Sequence, residues 1–184
     1  MMQREEAYKL LKKHLKNKNL LKHCLTVEAV MGRLAEHFGE DKNAWSVAGL
    51  LHDIDYEKTK DNPEQHSLVG AEMLREEGLP EELIYAIKVH NDYHGLARSS
   101  KLDKALYATD PLTGLIVAAA LIRPEKKLSI VDVEFLLNRF DENSFARGAR
   151  RDVIASCEEL DLTLEEFMAL GLEAMKGISN ELGL

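Results

Sequence analysis

The sequence predicts an all-α protein, and three observations carry the prediction. Apolar residues recur at helical spacing through almost every segment, strand-like alternation is absent, and proline or glycine stands where one apolar repeat gives way to the next. A chain of 184 residues, 45% hydrophobic and 30% charged, holds enough apolar material for one packed core. With no repeat, low-complexity tract or linker, a single domain over 1–184 is expected, built from about eight to ten helices of ordinary length.

The elements follow in order. Residues 4–16 place Leu10, Leu11 and Leu15 on one helical face, and residues 19–38 do the same with Leu21, Leu25, Val27, Val30, Leu34 and Phe38 before Gly39 stops them. A third helix from about Asp41 carries Trp45, Ala48, Leu50 and Leu51 into His52-Asp53. The polar stretch DYEKTKDNP leads to Pro63, which suits the first turn of a helix running to Gly78, and Pro80 opens PEELIYAIKVH. After the loop NDYHGLARSS, the apolar segment LDKALYATDPLTGLIVAAALI holds one acid, Asp110, placed by Pro111 at an expected helix break. Ser129 with Asp132 and Thr163 with Glu166 read as capping boxes for two later helices, and a further helix is expected near Ser144.

Charge and cysteine content exclude several classes. The formal net charge is -8, with lysines 9, 12, 13, 16, 18 and 22 near one end and acids from Glu158 to Glu173 near the other, both expected to be solvated helix faces, with a lysine-lined entrance for an anionic substrate as the alternative. That balance argues against a duplex nucleic-acid binder. No apolar run approaches a membrane span, and MMQREEAYKLLKKHLK lacks an apolar core followed by small residues, so a cytoplasmic protein without membrane association is expected. Cys24 and Cys157 form no disulfide framework and no paired thiolate motif, and are expected to be reduced and partly buried.

One feature resists a purely structural reading. In LLHDIDYE, His52-Asp53 follows directly on an apolar run, and burying such groups costs several kcal/mol unless something pairs with them. His23, His66 and His90 also fall on helical segments with inward-facing apolar residues. Neutral imidazoles with carboxylates suit zinc, iron or manganese, and crossing helices can gather ligands distant in sequence. Each residue also has a bland reading: His52-Asp53 or Asp110 as helix caps, His23 as a satisfied core histidine, His66 and His90 as surface or hydrogen-bonding groups. His14 and His37 read as surface residues, Cys24 as core, and Gly70 as room for a close helix approach.

In order and local context, His23, His52-Asp53 and Asp110 resemble the H…HD…D signature of the HD-domain superfamily of metal-dependent phosphohydrolases, over roughly residues 20–120. His66 before GAEML and His90 after AIK resemble the two further histidines of its two-metal, HDIG-like subgroup, leaving about 125–184 as a C-terminal helical extension. The resemblance implies a helical bundle holding one or two divalent ions (iron, manganese, zinc, magnesium, cobalt or nickel). It makes His23, His52, Asp53 and Asp110 ligands of one ion, and Asp53 the bridge to a second held by His66 and His90. Asp53 is then the catalytic residue. The implied activity is hydrolysis of a phosphoester in a nucleotide or small phosphorylated metabolite by metal-activated hydroxide. A di-iron oxygenase and a non-catalytic nucleotide-binding module are the alternatives.

The chain also departs from relatives of that kind. His90-Asn91 stands where many have a histidine pair, so His94 is a candidate replacement imidazole or substrate contact, and Lys58 a candidate phosphate contact. Asn19 stands where three-metal relatives carry a glutamate, and YHGLARSS lacks the Gly-Tyr-Pro element of cyclic-dinucleotide hydrolases.

Overall fold

The computed structural model describes residues 2–184, and every regular element among them is helical. Helix α1 spans Arg4–His14, α2 Lys18–Phe38, α3 Lys42–Leu51, α4 Tyr56–Thr59, α5 Leu68–Glu76 and α6 Glu81–Val89. They are followed by α7 Lys101–Leu121, α8 Val133–Phe140, α9 Arg151–Ala155, α10 Leu164–Gly177 and α11 Ser179–Leu182. Helices α2 and α7, each 21 residues long, form the frame, with α3 packed along α2 and α10 closing over both. No described helix is long and apolar enough to cross a membrane. Cys24 and Cys157 are free and buried.

Local chemistry explains most boundaries. Asn17 caps α2, its side chain accepting from the amides of Asn19 and Leu20, and Gly39 ends the helix at φ 69°, a left-handed value that glycine adopts without a Cβ penalty. Asp41 caps α3 by accepting from Ala44 N, and Thr163 with Glu166 forms the expected capping box of α10.

Four expectations are corrected. Pro63 does not open a helix; residues 63–67 are turns, and α5 starts at Leu68 because the Asp55 carboxylate captures the amides of Ser67 and Gly70. Pro111 does not break α7, which runs through it. An interior proline costs about 3 kcal/mol, but Ala108, Thr109, Leu112, Leu115 and Ile116 around it are all buried, and their packing outweighs that cost. Asp132, rather than Ser129, is the N-cap of α8, accepting from Phe135 N at 2.8 Å, while Ser129 lies in a short 3-10 turn. No helix begins near Ser144. The Arg151 guanidinium instead ties that loop by donating to the carbonyls of Arg139, Phe140, Glu142, Phe145, Ala146 and Ala149, a set of acceptors available only while the loop stays unwound.

Candidate metal centre

Five elements bring six side chains to one point. His23 comes from the first third of α2, His52 and Asp53 from the end of α3, His66 from the turns before α5, His90 from the end of α6 and Asp110 from the middle of α7. His52, Asp53 and His90 are buried, whereas the side chain of Asp110 is 35% exposed and opens the cluster to solvent.

The Asp53 carboxylate divides the cluster in two. Its Oδ2 lies 3.4 Å from His52 Nε2 and 3.6 Å from His23 Nε2. Its Oδ1 lies 3.3 Å from His66 Nε2 and 3.6 Å from His90 Nε2. Asp110 belongs to the first group, its Oδ1 standing 3.0 Å from His23 Nε2 and 3.8 Å from His52 Nε2.

Every imidazole faces the centre through Nε2 and is anchored through Nδ1. His52 Nδ1 donates to Gly49 O at 2.7 Å, and His90 Nδ1 donates to Ile87 O. His66 Nδ1 donates to Asp55 Oδ1 at 3.0 Å. His23 Nδ1 meets the Thr113 hydroxyl, whose own proton goes to Asp110 O at 2.9 Å, so that hydroxyl accepts. The anchors are acceptors in all four cases, which places the proton on Nδ1 and leaves the Nε2 lone pairs directed inward. Orientation of this kind, with the outer ring nitrogen tied to a carbonyl or carboxylate, is how proteins present histidine to a metal ion. His23 Nε2 and His52 Nε2 approach to 3.2 Å, a separation that two bare lone pairs tolerate only with a cation or proton between them. The donor set therefore fits a divalent cation. Two groups bring their ligand atoms within 4.8 Å of one another, His23-His52-Asp110 and His52-Asp53-His90.

In the ion-free protein protons supply that charge. Burial alone would push His52 down, but Asp53 and Asp110 outweigh it and raise its pKa to about 9. His66 is likewise lowered by burial and raised more strongly by its bonds to Asp53 and Asp55, to about 10. Burial opposes ionisation of Asp53 and Asp110, yet the surrounding imidazoles hold both well below the usual carboxylate range.

A family model described as HD domain matches residues 20–132. The chain belongs to the HD-domain family. This is a family of metal-dependent phosphohydrolases whose members bind divalent metals, as the order of His23, His52-Asp53 and Asp110 implied. The HD-domain chain is 32% identical over 150 residues to Ribonuclease Y of Desulfotalea psychrophila, covering 77% of this chain and 28% of the relative. It is 30% identical over 171 residues to Ribonuclease Y of Aquifex aeolicus, covering 90% of this chain and 30% of that relative. For Ribonuclease Y of Geobacter metallireducens the identity is 26% over 169 residues, with 90% and 32% covered. The chain thus spans about a third of the length of these curated relatives.

These relatives overturn one expectation. A small phosphorylated substrate, with duplex nucleic acid set aside on charge, does not agree with similarity to proteins named as ribonucleases. Net charge sums the whole surface, whereas a polyanion would meet only the local potential, so the sum does not exclude such a substrate.

Two other candidate contacts stand outside the HD-domain cluster. Lys58 Nζ lies against Met73 Sδ on the exposed side of α4, and His94 Nε2 bonds to His66 O at 2.8 Å because the chain leaves helix after Val89. Neither lines the cleft that opens over the cluster.

Sequence reasoning left Asp55 unassigned, although it is fully buried. Its Oδ1 holds His66, and its Oδ2 accepts from Ser67 N and Gly70 N, both at 2.8 Å. A Cβ at Gly70 would stand 3.2 Å from the Asp55 carboxyl carbon, so the room expected at Gly70 serves this carboxylate. Ser67 is held at φ 67°, a conformation that costs a non-glycine residue about 1–2 kcal/mol. A second acid in HDID within a buried run is the only sequence signal that could have marked Asp55. Replacing Asp55 by alanine is expected to lower metal affinity about 10–100-fold, the usual effect of losing such an orienting partner. It also strands buried amides at roughly 1–3 kcal/mol each. Metal titration and thermal melting of the variant check both effects.

Proposed function

We propose that this HD domain hydrolyses phosphodiester bonds in RNA at a two-ion centre, with His23, His52, Asp53 and Asp110 holding one ion and Asp53, His66 and His90 the other. The observation that carries the reading is the single Asp53 carboxylate shared between two histidine groups whose Nε2 lone pairs all face inward. Bound there, divalent ions neutralise phosphate charge and lower the pKa of water. The chain's own part is orientation: Gly49 O, Ile87 O, Asp55 and Thr113 hold the four rings. Asp110, the most open of the six, stands where substrate enters. Similarity to proteins named Ribonuclease Y supports RNA as the polymer.

The test is an end-labelled single-stranded RNA incubated with protein loaded with manganese or iron, beside a chelator-stripped sample. Shortened RNA in the loaded sample alone is the expected result. Phosphate release from monoesters with RNA left intact would refute the RNA assignment, and oxygen consumption supported only by iron would refute hydrolysis altogether.

A further inference from the structure

Two clefts meet at one glycine. The first, ≈ 340 Å³, lies over the cluster and is lined by His66, His90 and Asp110 together with Asn91, Tyr107 and Arg150. The second, ≈ 450 Å³, is lined by Lys22, Thr26, Val117, Leu121 and Leu182. His23 and Gly114 belong to both.

Gly114 has no structural explanation within the chain. It lies inside α7, where glycine is the worst helix former after proline, and its φ is not in the left-handed region that would require glycine. Other helix glycines are explained by crowding. An added Cβ would come within 2.5 Å of Ser46 at Gly32, 2.9 Å of Val27 at Gly49 and 2.8 Å of Leu112 at Gly171. At Gly114 it would meet nothing within 4 Å, and the residue is exposed. Gly177, also unobstructed, merely ends α10. Gly114 stands four residues after Asp110, hence on the same face of α7 and one turn from the cluster. The space beside it is not filled by the chain.

A scissile phosphodiester carries two ester substituents that leave phosphorus in different directions, whereas a monoester carries one. Two clefts that share His23 and Gly114 match the first case. The second cleft offers a base apolar contact on Val117 and the half-exposed Leu121, and the Lys22 amino group, which donates one proton to Leu182 O at 2.6 Å, has two more to offer a phosphate. We propose that Gly114 is a specificity-determining residue, the bare saddle over which a single-stranded RNA passes from one cleft into the other. This rests on the RNA reading above.

Gly114→Leu fills the saddle, and Gly114→Ala adds one methyl group while improving helix propensity. Each is assayed with an RNA oligonucleotide and with bis(p-nitrophenyl) phosphate, a diester too small to span both clefts, alongside metal content and melting temperature. In Gly114→Leu the KM for RNA is expected to rise on the order of tenfold or more beyond any change for the small diester, at undiminished metal content. Gly114→Ala is expected to melt at a higher temperature yet to bind RNA less well, a combination that a purely structural glycine would not produce. Wild-type protein that cleaves RNA, with both variants matching it or losing RNA and small diester equally, overturns the saddle alone. Wild-type protein that hydrolyses the small diester but neither binds nor cleaves RNA overturns the RNA reading and the saddle with it.

Discussion

Replacing Asp53 by asparagine is expected to abolish phosphodiester hydrolysis, by more than the roughly 10²–10³-fold seen when a single transition-state donor is removed. The reason is that one carboxylate serves both histidine groups: Oδ2 faces His23 and His52, and Oδ1 faces His66 and His90. Asparagine keeps the volume but removes the negative charge, so both groups lose their shared anion together. The same change acts on stability. Removing one partner of a buried ion pair costs about 3–5 kcal/mol when the other stays charged. Histidine can release its proton, so the cost in the ion-free protein falls toward the lower end. His52, raised to about 9 largely by Asp53 and Asp110 against its burial, should then titrate lower. Metal content, RNA turnover and a histidine titration followed by NMR check the three effects. Unchanged metal binding with full activity would dismiss Asp53 as the shared ligand.

Metal removal should reverse the pH dependence of stability. In the stripped protein His52 and His66 have pKa values of about 9 and about 10, above the ordinary 6.5 of an unfolded chain. A raised histidine contributes stability that is complete below pH 6.5 and lost as pH climbs through 9 and 10. Asp53 and Asp110, held low, contribute stability that is present above the usual 3.8 and lost as pH falls further. The stripped protein should therefore melt highest between about pH 4 and 6.5 and weaken toward pH 9–10. The loaded protein should do the opposite over the alkaline range, because ions need neutral imidazoles and must displace the protons of His52 and His66. Each displaced proton makes affinity climb about tenfold per pH unit below the relevant pKa. The gap in melting temperature between loaded and stripped samples should widen from pH 6 to pH 9, with protons released on metal uptake at pH 7. A gap that narrows over that range would mean that the bound ion does not contact these rings.

Much of this molecule is legible residue by residue. The helical spacing of Leu21, Leu25, Val27, Val30 and Leu34 and the stop at Gly39 foretell α2 almost to its ends. The order His23, His52-Asp53, His66, His90, Asp110 names the six side chains that the fold brings together. What failed was local inference where distant groups intervene. Pro63 looks like a helix start, but Asp55 reaches across from α3's end and delays α5 to Leu68. Pro111 looks like a break, but the burial of its neighbours carries α7 through it. Ser144 looks like a cap, but Arg151 gathers the carbonyls that a helix would have used.

The helical class, most helix boundaries and the identity of the clustered histidines and aspartates are legible in the chain alone, because periodicity, caps and residue chemistry act over one or two turns. Which oxygen of Asp53 meets which imidazole, that Asp55 anchors His66, and that Gly114 stands where two clefts join emerge only in three dimensions. Those facts depend on how α2, α3, α6 and α7 cross, and crossing geometry is set by contacts among residues tens of positions apart. A one-residue pattern carries no record of it.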